Sequence, residues 1–291
     1  MQLILHTGAH YTEQDRLIKT ILRNTGKLSQ KGVHVPGPGT YRSLMRDTLN
    51  AMHRAPAGAD AREILLDVMM DDVKADRLVL SDPNFFRTAG TALREGVIYP
   101  DAPERMMHMA HLFPDDDLEI FLAIRNPASL VPILFDVAVH RQHNQFWGGR
   151  QPQDLRWSET ISNIRQAAPE IPINVWCNED MPLLWSQIIR EMVGLDENEK
   201  IAGGFDLLAS IMSKEGMQRF RAYLDSHQEM SELQKRRVIA VFLDKFALED
   251  EIEEELDMSG WTEDLVDHMT SIYDEDLAVI QSIPGVRLIT P

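Results

Sequence analysis

A short apolar run, Leu3-Ile4-Leu5, leads through His6 and Thr7 into Gly8-Ala9-His10-Tyr11-Thr12-Glu13-Gln14, after which Leu17, Ile18, Ile21 and Leu22 recur at helical spacing. A strand, a glycine-bearing turn and a helix start aim backbone N–H groups and a positive dipole end at one point, which is chemistry for holding an anion. His10, inside the turn, could contact a phosphate oxygen or donate a proton to it, and could equally bond a local carbonyl. Glu13 and Asp15 act in the opposite sense. Like unit charges ~4 Å apart repel by roughly 4 kcal/mol at an effective dielectric near 20. The same two carboxylates can satisfy orphan N–H groups and complement the dipole without any ligand. The turn lacks the second glycine and the lysine of GxxxxGK[ST], which sets aside ordinary ATP or GTP hydrolysis.

Other chemistry-bearing spacings are sparser. His108 with His111 and His140 with His143 each place two imidazoles on one helix face, with Asp115, Asp116 or Asp117 as a third ligand, but no HExxH signature accompanies them and no metal site is expected. Asn144-Gln145-Phe146-Trp147-Gly148-Gly149 has the composition of an exposed aromatic loop, in which Trp147 either lines a cleft or packs plainly. Neither a GxSxG elbow nor a GxGxxG turn after the first strand is present, so serine hydrolases and dinucleotide-binding enzymes are set aside. The methionine-rich stretches Met69-Met70 and Met106-Met107 with Met109 are expected to fill core gaps.

The elements that must position these groups alternate. Apolar runs at Val33-His34-Val35, Leu78-Val79-Leu80, Leu118 to Ile124 and Ile173 to Trp176 are separated by amphipathic stretches, and breakers fall at Pro36-Gly37-Pro38-Gly39, Pro83, Pro127 and Pro169. This predicts an α/β fold with a parallel sheet flanked by helices in three layers. Thr12 is the expected N-cap of the first helix, with Asp15 three residues on, and Gly26 its expected end. Beyond Gly194 the pattern is helical, with apolar faces at Phe220, Tyr223 and Leu224 and at Val238, Ile239, Val241, Phe242 and Phe246, until a closing strand at Val286-Arg287-Leu288-Ile289. A single domain is expected, with residues 1–195 as the core and 196–291 as a mainly helical extension. The acidic run Leu248 to Asp257 is expected to be a solvated face.

With 46 acidic against 29 basic residues, the net charge of −17 disfavours nucleic acid and anionic membranes as partners. Cys177 is the single cysteine, which excludes an internal disulfide and fits a cytoplasmic setting. No export signal is expected from Met1-Gln2-Leu3-Ile4-Leu5, and no run of about eighteen apolar residues is available to span a bilayer.

Several of these segments resemble one family. Ile4-Leu5-His6-Thr7-Gly8-Ala9-His10-Tyr11-Thr12 is similar to the first strand and phosphosulfate loop of bacterial sulfotransferases. Leu28 to Pro36 resembles the lead into that family's second strand, Ile124-Arg125-Asn126-Pro127 its R-x-P turn, and Tyr273 to Pro291 its closing segment. The resemblance implies a P-loop-like three-layer fold that transfers a sulfuryl group from 3′-phosphoadenosine 5′-phosphosulfate to a hydroxyl of a carbohydrate or small metabolite. It implies donor contacts at Gly8, His10, Tyr11 and Thr12, a 3′-phosphate contact at Arg125, and Asp82, in Leu80-Ser81-Asp82-Pro83, as the base on the acceptor. Asp82 also suits a plain turn before Pro83.

The departures from the family pattern fall on the same loop. Tyr11 stands where the family has its lysine, Glu13 where a glycine follows, Gln14 and Asp15 where hydroxyl residues donate to phosphate, Arg16 at a serine position, and Ile133 at the second-site serine. Two functions follow, an active sulfotransferase with His10 and Asp82 as candidate catalytic groups, and a non-catalytic binding or interaction module on the same frame. An enzyme should keep an open, positively lined cleft at the turn, whereas a retired site should show Glu13 or Asp15 bonded to the turn's own amides.

Overall fold

The computed structural model describes residues 1–13, 15–138, 143–252 and 258–291, with the backbone alone at 143 and 144. The chain begins with β1 (Gln2–His6), α1 (Arg16–Leu22), α2 (Thr25–Ser29), β2 (Val33–His34), α3 (Pro38–Met52), α4 (Ala61–Met70) and β3 (Arg77–Ser81). A two-residue hairpin, β4 (Leu93–Arg94) with β5 (Val97–Ile98), precedes α5 (Ala102–Leu112), β6 (Asp117–Ile124), α6 (Pro127–Val137), α7 (His143–Trp147), α8 (Trp157–Ala167) and β7 (Ile173–Cys177). Then follow α9 (Met181–Val193), α10 (Asp206–Ile211), α11 (Lys214–Ser226), α12 (Glu232–Phe246), α13 (Glu249–Ile252), α14 (Glu263–Ser282) and β8 (Val286–Ile289).

Every neighbouring pair in the six-stranded sheet is parallel, in the order β2-β3-β1-β6-β7-β8. The expected α/β class, the parallel sheet and the helices on both faces are therefore present. Strands buried on both faces must be apolar on both, and the alternation in β1 shows how: Leu3 and Leu5 join the cluster formed with α3, α4, α5, α6, α8 and α14, while Ile4 joins the one formed with α1, α2 and α9. All three are at most 2% exposed, and each such side chain contributes about 1.5–3 kcal/mol by leaving water. The chain leaves β1 toward β2 and β3, then crosses to β6, β7 and β8 on its other side. A crevice opens at the carboxyl ends of β1 and β6, the place where open α/β sheets bind ligands.

Beyond Gly194, which closes α9 at φ 67°, Leu208, Met212, Met217, Phe220 and Ile239 form a third cluster from α10, α11, α12 and the segment between α10 and α11. Gly216 permits the closest packing there, since a Cβ on it would lie 2.5 Å from Cβ of Phe246. Among the described residues no helix is long and apolar enough to cross a membrane.

Several local expectations are corrected. Thr12 does not cap α1, and neither does Asp15: the helix starts at Arg16, and the Asp15 side chain makes no cap hydrogen bond. Gly26 lies inside α2 rather than at a helix end. The aromatic segment is not an exposed loop. Phe146 and Trp147 are buried in α7 and stack edge to face, because Gly148 and Gly149, both at positive φ, let the chain turn tightly over Glu95. Val241 faces solvent rather than the core, and so does Met107, while Met69, Met106 and Met109 are buried as expected. Glu249 to Ile252 form an exposed helical turn, and the rest of the acidic run, 253–257, lies outside the described residues. So do His140, Gln14 and the side chain of His143.

Candidate functional site

The register of the central strands creates the first contact. Pairing of β1 with β3 sets His6 opposite Ser81 on one face, and His6 Nδ1 lies 2.9 Å from Ser81 Oγ. Two strands away on that face, Trp176 stacks on the imidazole at 5.9 Å between centroids. The chain then continues along β6, with Thr7 and Ala9 N–H donating to Phe121 and Ala123, before reversing through Gly8, Tyr11 and Asp15, all at positive φ. Only glycine takes this conformation freely, so the loop carries backbone strain at two non-glycine positions.

The reversal folds Glu13 back beneath the turn. Its Oε1 lies 3.1 Å from His6 Nε2, an ion-pair approach in which the ring N–H is not aligned well enough for a formal hydrogen bond. The Thr12 hydroxyl is within bonding distance of both the other carboxylate oxygen and the Ala9 carbonyl. A Cβ on Gly8 would come within 3.4 Å of Oε1, so the glycine leaves room for the carboxylate. Burial pushes the Glu13 carboxyl up. The His6 charge and the close approach of its ring, together with hydrogen bonds from Thr12 and the Glu13 backbone N–H, outweigh that and hold it below its ordinary value.

Asp15 turns away to α3, where Arg42 grips it with two bonds of 2.7 and 3.1 Å and donates Nε to the Ser81 carbonyl. Those bonds hold the Asp15 carboxyl below its usual range. Tyr11 packs against the apolar core beside His10, and its carbonyl accepts from Arg125.

His10 is held from two sides. Its backbone N–H donates to Tyr99 Oη at 2.8 Å, the Tyr99 hydroxyl meets Nδ1 at 2.6 Å, and Nε2 faces Asn84 Oδ1 at 3.2 Å. These partners fit a neutral ring protonated at Nε2, and burial lowers its pKa against the opposing Asn84 bond. Asn84 also reaches the other candidate catalytic group, because its N–H donates to Asp82 Oδ1 at 2.9 Å, the bond of an Asx turn. Burial raises the Asp82 carboxyl, partly offset by that bond and by Arg42 and Arg46.

Arg125, at the end of β6, is buried, donates Nε to Ser129 at 3.0 Å and bonds the Tyr11 carbonyl through Nη1. The Asn126-Pro127 step that follows is a helix start, in which Asn126 Oδ1 accepts from Ala128 N–H. A cleft of about 470 Å³ lies beside the loop, lined by Thr12, Glu13, Arg16, Arg125 and Ser129 and walled by α9, α10, α12 and α13. Glu179 and Glu251 also face it, so its lining is of mixed sign. Of the expected site residues, Thr12 and Arg125 border this cleft, while Gly8, His10, Tyr11 and Asp82 do not.

Tyr99, Asn84, Arg42 and Ser129 were not singled out from sequence. Ser129 alone carried a usable signal, since it stands one helical turn after Arg125. Comparisons with family models, with curated proteins and with solved structures found no match.

Proposed function

We propose that this chain is a non-catalytic binding module on a sulfotransferase-like, P-loop-like frame, in which Glu13 stands where a donor phosphate would otherwise sit. The buried Glu13 carboxylate carries the proposal, because His6, the Thr12 hydroxyl and the Glu13 backbone N–H already serve it. A second anion would enter against a fixed charge, at a cost of several kcal/mol at ~4 Å. Tyr11 offers no cation in place of the family lysine, and Arg125 is engaged by the Tyr11 carbonyl and Ser129. The mixed-sign cleft beside the loop is the surface left for a ligand.

Active sulfuryl transfer is the second reading, and it is favoured by Asp82, whose carboxyl is raised by burial as a general base requires. In that reaction the acceptor hydroxyl oxygen attacks sulfur, the bond from sulfur to the bridging phosphate oxygen breaks, 3′-phosphoadenosine 5′-phosphate leaves, and Asp82 takes the hydroxyl proton. Calorimetric titration with 3′-phosphoadenosine 5′-phosphate at low and moderate salt, beside an Arg125→Ala variant, separates the two. The binding module gives no heat at millimolar nucleotide. Micromolar binding that Arg125→Ala abolishes would overturn it and restore the transferase.

A further inference from the structure

We infer that the cavity between α5 and the turn joining α3 to α4 is a binding site for a small, multiply charged oxyanion. It lies away from the loop at Glu13, is open to solvent on one side and has a volume of about 730 Å³. Its lining inverts the charge of the chain. His53, Arg54, Arg62, His108 and His111 face it against the single carboxylate of Asp115, in a protein of net charge −17. The helical spacing of His108 and His111 in α5 brings both imidazoles to the cavity side, and Ala55, Ala57, Gly58 and Ala59 in the turn keep the opposite wall low.

Two of these groups are already spoken for. Arg62 holds Asp116 with bonds of 2.7 and 2.8 Å, and His53 Nδ1 meets Glu104 at 2.6 Å. Arg54 has no carboxylate partner among the described residues. His108, whose side chain is 8% exposed, has Nε2 4.0 Å from Glu104 and a buried Nδ1 with no hydrogen-bond partner among the described residues. That atom is closed to solvent, so a ligand in the cavity would meet the edge of the His108 ring that faces it, beside the Arg54 guanidinium, rather than Nδ1 itself.

Burial holds the His108 ring below the ordinary imidazole pKa. His53, Arg105 and His111 push the same way against Glu104. A bound anion opposes that shift, so it binds more tightly as imidazoles gain protons. A metal ion fits less well, because no group of three ligating side chains that could hold one is found among the described residues. Guanidinium and imidazole N–H donors beside the apolar surfaces of Met52, Leu112 and Pro114 instead suit phosphate or polycarboxylate on a small organic body.

The test is proton NMR of the histidine Cε1–H resonances of the full chain during titration with pyrophosphate and, separately, citrate at constant ionic strength. The His108 and His111 signals are expected to move with half-saturation below about 1 mM, and at lower concentration at pH 6 than at pH 8. Arg54→Ala should weaken binding about fivefold. Asp115→Asn should tighten it about twofold, and Arg46→Ala, on the outer side of α3, should leave it unchanged. Response to pyrophosphate alone assigns phosphate as the ligand chemistry, and response to citrate alone assigns polycarboxylate. The proposal fails if neither probe moves these signals by about 10 mM, or if shifts persist unaltered in both Arg54→Ala and Asp115→Asn while circular dichroism shows the fold intact.

Discussion

The loop between β1 and α1 and the cavity beside α5 both gather imidazoles, guanidiniums and carboxylates, yet they differ in how their polar atoms are satisfied. In the loop the carboxylates are answered from within. Glu13 meets His6 and Thr12, Asp15 meets Arg42, and His10 sits between Tyr99 and Asn84. In the cavity Arg54 has no carboxylate partner, and the buried His108 Nδ1 no hydrogen-bond partner, among the described residues. A buried group bonded by its own chain stabilises the fold, whereas one left open gains most from a ligand. The region with the familiar shape of a phosphate site is therefore the closed one, and the region without a motif is the open one.

Removing Glu13 is the sharpest way to break this contrast and should have the largest effect. Glu13→Ala leaves the buried His6 Nε2 and the half-buried Thr12 hydroxyl without their shared partner, and should cost about 3–5 kcal/mol by urea unfolding. A loss under about 1 kcal/mol would mean that the carboxylate is an incidental occupant and the seat is open after all. The pH dependence has a definite sign. The folded carboxyl sits below its ordinary value of 4.5, so its stabilisation is complete above 4.5 and is lost as pH falls through the folded pKa. Glu13→Gln should accordingly flatten the acid limb of the stability curve relative to wild type.

How much of this was legible in the sequence follows from the range of the interactions involved. The six sheet strands and the helical region after Gly194 could be read, because each rests on a local apolar run or a helical period. The importance of the loop was equally visible, since its glycine, its carboxylates and the strand before it are contiguous. Its partners were not. Tyr99 lies 89 residues from His10 along the chain, and Arg42 is 27 residues from Asp15, so only the strand order brings them together. The segment around Trp147 was read as an exposed loop for a related reason, because two glycines signalled exposure while tertiary packing under the β4–β5 turn buried the indole, the plain packing that was the other reading of Trp147 itself. His108 appeared as half of a metal spacing, and the cavity that gives it meaning requires a turn more than fifty residues earlier.

A milder test of the closed region is Tyr99→Phe, which keeps the ring and deletes the hydroxyl shared by the backbone and side chain of His10. Leaving those two buried groups without a partner should cost about 1–3 kcal/mol. If the loop were already open to solvent, water would replace the hydroxyl and thermal unfolding would hardly change.

The smallest effect is expected at Asp15, where the comparison is most finely balanced. Asp15→Asn preserves shape, and asparagine tolerates the left-handed backbone at φ 64°, so the change isolates the charge facing Arg42. Both side chains are partly exposed, at 33% and 22%, which limits the pair to about 0.2–1 kcal/mol despite its two-pronged geometry. That difference should shrink as salt rises toward ~1 M, where screening acts over roughly 3 Å. A loss well above ~1 kcal/mol that salt leaves untouched would instead make Asp15 part of the buried network around Glu13, and would extend the closed region across the whole loop.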